Sequence, residues 1–181
     1  MNKETLAAMQ YPIGRFTTPK IISDTDIMEW IIELEALPED LASLVAPLSD
    51  TQLNTPYRPE GWTIRQVIHH LADSHFNSYI RFKWALTEDL PTIKPYDEKQ
   101  WSILFDARTA PISLSLNGLS AVHAKMVFLL KGLSPSDLER TYIHPDGETV
   151  YSIKETIGRY AWHGKHHYTH IKNALVREGW L

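Results

Sequence analysis

The sequence predicts an all-α protein, a four-helix bundle with long connections, and three observations predict it. Four stretches place apolar residues at i, i+3, i+4 and i+7, the spacing of a helix that buries one face. Two of them open on the same signal, Thr63-Ile-Arg-Gln66 and Ser152-Ile-Lys-Glu155, each a capping box. A weak repeat then ties the halves together. Leu48-Ser49, Leu53, Tyr57 and Trp62-Thr-Ile-Arg-Gln-Val-Ile68 are answered by Leu133-Ser134, Leu138, Tyr142 and Tyr151-Ser-Ile-Lys-Glu-Thr-Ile157. Two helix pairs related by a pseudo-two-fold make such a bundle, and bundles build ligand sites from side chains on facing helices.

Residues 1–22, with Y-P-I-G-R-F-T-T-P-K, read as an N-terminal arm, extended and lying on the body. Ser23 or Asp24 can cap a first helix that carries Ile27, Trp30, Ile31 and Leu34 on one face. Pro38 is expected to kink or break it before Leu41, Leu44 and Val45. From Pro47 to Trp62 prolines and Gly61 mark a structured connection. The second helix runs from the Thr63 cap to about Leu86, with Ile64, Ile68, Leu71, His75, Tyr79, Phe82 and Leu86 on one face.

Thr87 to Ala110 is a long connection with a helical piece around Glu98 to Phe105, a length that points to a cover over a site. Pro111 to Leu130 is the third helix, with Leu119, Val122, His123, Met126 and Val127 in register and Gly132 ending it. Ser134-Pro-Ser-Asp137 starts a short helix, and the turn His144-Pro-Asp-Gly147 suits a short hairpin before the last helix.

A chain of 181 residues that is 43% hydrophobic suits a single domain, 1–181, with a substantial core. A net charge of −4 without a long basic run argues against nucleic acid as a partner. No apolar run reaches the ~18 residues of a membrane span, and the first ten residues lack a signal-peptide core. These features point to the cytoplasm and to no membrane partner. With no cysteine, a metal must be held by His, Asp or Glu.

The last helix carries Y-A-W-H-G-K-H-H-Y-T-H-I, Tyr160 to Ile171, with His163, His166, His167 and His170 on one face. His163 and His167, one turn apart within the apolar stripe, have the spacing of a metal-binding pair but lack the Glu of H-E-x-x-H. Alone they read first as boundary histidines satisfied by carbonyls or water. A ligand from another helix decides between these readings, and the repeat points to the second helix. There His75 lies mid-stripe and His70 on a polar flank with Val67, Ser74, Asn77 and Arg81; periodicity does not choose between them.

The segments G-W-T-I-R-Q-V-I-H-H-L-A-D-S-H-F-N-S-Y-I-R-F-K (Gly61 to Lys83), W-H-G-K-H-H, Y-P-I-G and I-K-P-Y-D-E-K-Q-W (Ile93 to Trp101) closely resemble the YfiT branch of the DinB-like four-helix-bundle superfamily. So does Thr141 to Pro145, and the resemblance spans nearly the whole chain. That branch holds proteins labelled metal-dependent hydrolases and relatives of bacillithiol S-transferases. The resemblance implies one divalent metal ion per chain, zinc in the first place with nickel as the alternative, on His70, His163 and His167. It also implies a homodimer. His75 then becomes a core or supporting group, with Asp73 and His166 as further supporting candidates.

Three neutral ligands leave a position open for water or a small-molecule substrate, which suits hydrolysis. The same donors suit thiol transfer with a low-molecular-weight thiol, or a non-catalytic metal-binding module. A bis-His haem site would lack an attachment motif. Asp97 and Glu98 are the candidates for a general base. Asp73, Ser74, Asn77, Arg81 and Tyr96 each read first as an exposed group or half of an ion pair.

Overall fold

The computed structural model describes residues 3–181, with side chains from residue 5. In chain order the helices are α1 (Lys3–Gln10), α2 (Asp24–Val45), α3 (Asp50–Leu53), α4 (Ile64–Thr87), α5 (Glu98–Ser102), α6 (Phe105–Thr109), α7 (Ile112–Lys131), α8 (Pro135–Leu138) and α9 (Ile153–Arg177). Between α8 and α9 a hairpin pairs β1 (Thr141–His144) antiparallel with β2 (Thr149–Ser152), Thr141 opposite Ser152. Local chemistry fixes the starts. Ser23, Thr63 and Ser152 cap α2, α4 and α9 in reciprocal boxes with Asp26, Gln66 and Glu155.

The repeat is structural. Ser49 and Ser134 each cap a single helical turn, α3 and α8, that leads through a strand-like connection into the next long helix. In the first copy an isolated bridge between Pro56 and Thr63 closes that connection, and in the second the hairpin does. Around the bundle the long helices follow the order α2, α7, α4, α9, so α2 lies diagonally across from α4 and α7 from α9. The bundle places α4 beside α9, the two helices that carry most of the histidines.

Two corrections concern helix one and the arm. Lys3 to Gln10 is helical rather than extended, because K-E-T-L-A-A-M-Q is built almost wholly of strong helix formers. The rest of the arm lies on α9, with Phe16 beside Trp162 and Tyr11 beside His166. Pro38 neither breaks nor ends α2, which continues to Val45. Leu34, Leu37, Leu41 and Leu44 are buried on one face across the proline, and that continuous burial offsets a cost of ~3 kcal/mol for proline inside a helix. Pro38 has no N–H, so the carbonyl of Leu34, four residues back, is left without its ladder partner. It accepts a hydrogen bond from His123 Nδ1 at 2.6 Å instead.

Among the described residues one helix, α7, is by length and composition apolar enough to cross a membrane. In the fold its Leu119, Val122, Met126, Val127 and Leu130 are buried, and it packs against α2 and α4. The core is in two parts. One gathers Leu34, Phe82, Met126 and Ile157, the other Leu41, Ile68, Leu71, Val122 and Ile171. On every long helix the two parts are separated in sequence, and the gap is where a layer of buried histidines sits.

Tight contact between α2 and α9 requires glycine. A Cβ at Gly158 would lie 2.8 Å from two ring carbons of Trp30. Gly158→Ala is expected to destabilise the protein by ~1–2 kcal/mol, overpacking outweighing the gain in helix propensity. Gly164→Ala should be milder, since its Cβ would meet only the swinging end of Leu37, at 2.5 Å. Paired urea titrations of the two variants check the order.

Candidate metal centre

Helices α4 and α9 bring His70, His163 and His167 together, with one ligand nitrogen from each within 4.8 Å of the others. His70 Nε2 and His163 Nε2 are 3.3 Å apart. His70 and His167 are buried, while His163 keeps part of its surface exposed. The Trp62 ring packs against that of His70, with centroids 4.8 Å apart and the planes tilted by 54°.

Hydrogen bonds behind the trio set which nitrogen of His163 and of His167 carries the proton. A carbonyl can only accept, so the neutral His123 ring donates from Nδ1 to Leu34 and presents a bare Nε2. That nitrogen accepts from His75 Nδ1 at 2.9 Å, which leaves His75 Nε2 bare to accept from His163 Nδ1 at 3.2 Å. His163 therefore turns an Nε2 lone pair toward His70. The relay visits all four long helices, from α9 through α4 and α7 to α2.

A shorter relay serves His167. His170 donates from Nε2 to the Gln10 carbonyl at 3.1 Å, and its Nδ1 faces His167 Nδ1 at 3.3 Å. The proton of His167 belongs on Nδ1, and its lone pair on Nε2. Partners of this kind orient metal-ligating histidines and fix their tautomers. Two neutral α9 imidazoles with lone pairs on Nε2, faced by His70 Nε2 from α4, thus fit a divalent cation.

A second trio, His166, His167 and His170, also has its ligand atoms within 4.8 Å. It shares His167, and a neutral imidazole has one lone pair, so one cation takes one trio or the other. The proton that His170 draws onto His167 Nδ1 favours the first. His166 stacks on Trp162 with ring centroids 4.6 Å apart, and its buried Nδ1 has no partner.

Burial depresses the pKa of all nine histidines. For His70 burial comes first and His166 second, and together they bring it to about 4. His123, which touches none of the trio, is likewise pushed down to about 4 by burial, against the Leu34 carbonyl, which favours its charged form. Because the unfolded chain takes up these protons at about pH 6.5, stability is whole above that pH and is lost as pH falls toward about 4. Thermal melts across that window should show a falling midpoint, less steeply in His123→Leu. A flat profile would contradict a neutral imidazole layer.

Among the described residues the other carboxylate candidates make no hydrogen bond to the trio. Asp97 accepts from the backbone N–H groups of Lys99 and Gln100 and so caps α5, and Glu98 is exposed in that helix's first turn. Among the described residues neither hydrogen-bonds to a histidine. Asp73 is half-buried on α4, and burial, then the charge of Asp106, raises its carboxyl to about 6. His69 is turned away toward Ser115 and the Ala110 carbonyl. Sequence reasoning places His123 only in an apolar stripe and misses its role. The available signal is a histidine at a core position.

Comparison with known proteins follows the same lines. The DinB superfamily model matches residues 33–171. A protein of Oceanobacillus iheyensis named "putative metal-dependent hydrolase" is 52% identical over 171 residues, covering 94% of this chain and 98% of that one. One of the same name from Bacillus mycoides is 50% identical over 173 residues, covering 95% and 98%. The solved structure of YfiT from Bacillus subtilis, described as "a probable metal-dependent hydrolase with an unusual four-helix bundle topology", matches with a TM-score of 0.94 and 45% identity. That match covers 96% of this chain and 99% of YfiT. The matched segment takes in most of α2 and α9 and the whole of α4 and α7, and the chain belongs to the DinB superfamily.

Proposed function

We propose that this protein is a metal-dependent hydrolase that holds one divalent cation, zinc in the first place, on His70, His163 and His167. The observation that carries the reading is the pair of imidazole relays, which turn two Nε2 lone pairs of α9 toward the space that His70 Nε2 faces from α4. The names of the relatives support metal-dependent hydrolysis at the level of the family. Three neutral protein ligands are the pattern of catalytic rather than closed structural sites.

A divalent cation held there supplies Lewis acidity, acidifying a water or thiol and polarising a carbonyl or phosphoryl oxygen. The chain's own part is to hold the ligand rings in one tautomer and to give access on the His163 side. For proton transfer we put Asp73 ahead of Asp97 and Glu98. Its carboxyl, raised to about 6 by burial and Asp106, titrates near working pH, and it lies one helical turn from His70. Asp97 is committed to its cap.

Thiol transfer uses the same ligands, so the test runs both reactions. Protein purified without nickel resin is analysed for metal, then assayed on ester and amide panels and on thiol-plus-electrophile pairs. One divalent ion per chain, with metal-dependent turnover of an ester or amide that Asp73→Asn lowers by ~10²-fold or more, is the expected result. A chain that takes up no divalent ion would sink the proposal, and turnover only with thiols would move it to the transferase reading.

A further inference from the structure

Two arginines of α4 are equally buried and oppositely served. Arg65, 5% exposed, donates to Asp50 at 2.6 Å, Asn54 at 3.0 Å and the Ala110 carbonyl at 2.9 Å. Arg81, 8% exposed, has one protein partner, the Tyr160 hydroxyl, at 3.0 Å from Nη1. Its Nε is buried without a hydrogen bond, and among the described residues no carboxylate pairs with it. A buried guanidinium that lacks an anion is strongly disfavoured, and Arg65 shows that this helix can satisfy one.

Arg159 on α9 repeats the pattern. It is half-buried between aromatic rings, 4.6 Å from Tyr151 and 5.3 Å from Phe16, with a buried Nε that has no partner and, among the described residues, no carboxylate paired to it. Both arginines act on the same neighbours: burial first and then the two guanidiniums depress His144, and both oppose the burial-driven rise of Tyr142. The Tyr160 ring that holds Arg81 lies 5.7 Å from the His163 ring, so Arg81 borders the histidine cluster. Neutral imidazoles cannot balance its charge, and a bound divalent ion would add to the surplus.

We propose that the free Nε–Nη2 edge of Arg81, flanked by Arg159, binds an oxyanion group of the substrate, a carboxylate or a phosphate. That edge is the fork of a guanidinium, suited to two parallel hydrogen bonds. The bound group would hold the remainder of the substrate against His163. Its role as a substrate anchor rests on the metal-centre reading above, whereas the anion site itself does not need the metal.

The experiment follows binding of succinate and of inorganic phosphate, at constant ionic strength, to the full chain in metal-free and zinc-loaded forms. Calorimetry and thermal shift are the readouts, and metal content is measured separately. At least one probe should bind and raise the melting temperature in both forms. Arg81→Met should weaken that binding by about tenfold or more, and Arg81→Lys, which keeps the charge and loses the fork, by most of that factor. In probe-free buffer Arg81→Met should melt no lower than the parent, because it removes an unpaired buried charge; if it fails to fold, Arg81→Lys carries the test. Lys83→Met, an exposed site on the same helix, is the control and should change nothing. Response to succinate alone assigns a carboxylate, and to phosphate alone a phosphate. No binding of either probe to the parent, or binding unmoved in both Arg81 variants, overturns the inference even where zinc is bound in full. Arg81-dependent anion binding in a chain that takes up no metal sustains it and removes the metal reading instead.

Discussion

His70→Ala is expected to weaken zinc binding by more than ~100-fold, leaving a folded bundle that holds no stoichiometric metal. Loss of an outer hydrogen-bonding partner already costs metal sites about 10- to 100-fold in affinity, and a ligand should cost more. His70 is α4's only member of the trio. Without it the remaining pair lies on one helix, and nothing links the cation to the other half of the bundle. The fold should survive, because the ring packs against Trp62, His163 and His167, and alanine keeps the helix. Competition with a chromophoric chelator gives the affinity, and circular dichroism checks the fold. The ordering against His170→Ala separates the two trios. Full metal occupancy in His70→Ala with loss in His170→Ala would mean that the cation sits on His166, His167 and His170.

His123→Leu is the second large effect, and it acts at a distance. The residue is 1% exposed and is separated from His163 by the whole His75 ring. Leucine fills much of the volume but leaves the Leu34 carbonyl and His75 Nδ1 unsatisfied, at about 1–3 kcal/mol for each buried group. The tautomer of His75 is then no longer dictated, and with it that of His163. Zinc affinity should fall about 10- to 100-fold, as for other outer partners. Imidazole nitrogen chemical shifts of His163 should change from a single Nδ1–H tautomer to a mixture. A lower melting temperature with unchanged affinity and unchanged shifts would reduce the relay to packing.

Helix boundaries are legible in the sequence because they rest on local chemistry. Thr63 with Gln66 and Ser152 with Glu155 are complete capping signals, and the structure begins α4 and α9 beside them. The hairpin before α9 is legible from the turn at His144 to Gly147. Pro38 misleads because a proline's local penalty is visible in sequence, whereas the leucines that outweigh it matter only once α7 and α9 pack on them. Of the histidine cluster, periodicity yields the α9 pair. It places His75 in the interior, where the structure has it fully buried, but does not say that the ring's two nitrogens meet His163 and His123. Those contacts join α9, α4 and α7, and no pattern along one helix contains them. Arg81 reads as a surface or ion-paired group for the same reason. Its burial comes from Tyr160 and the neighbouring helix, while the missing partner depends on where the carboxylates of other elements fall.

Pro38 also matters to anyone engineering this protein. A stabilisation scheme that scores helices residue by residue would exchange it for alanine and expect a gain. The new amide would sit one turn from Leu34 and contest the oxygen that now belongs to His123. A tougher rod could then come with a looser socket, its imidazoles free to flip between tautomers. What looks like a defect in one helix is the mooring for a ring on another.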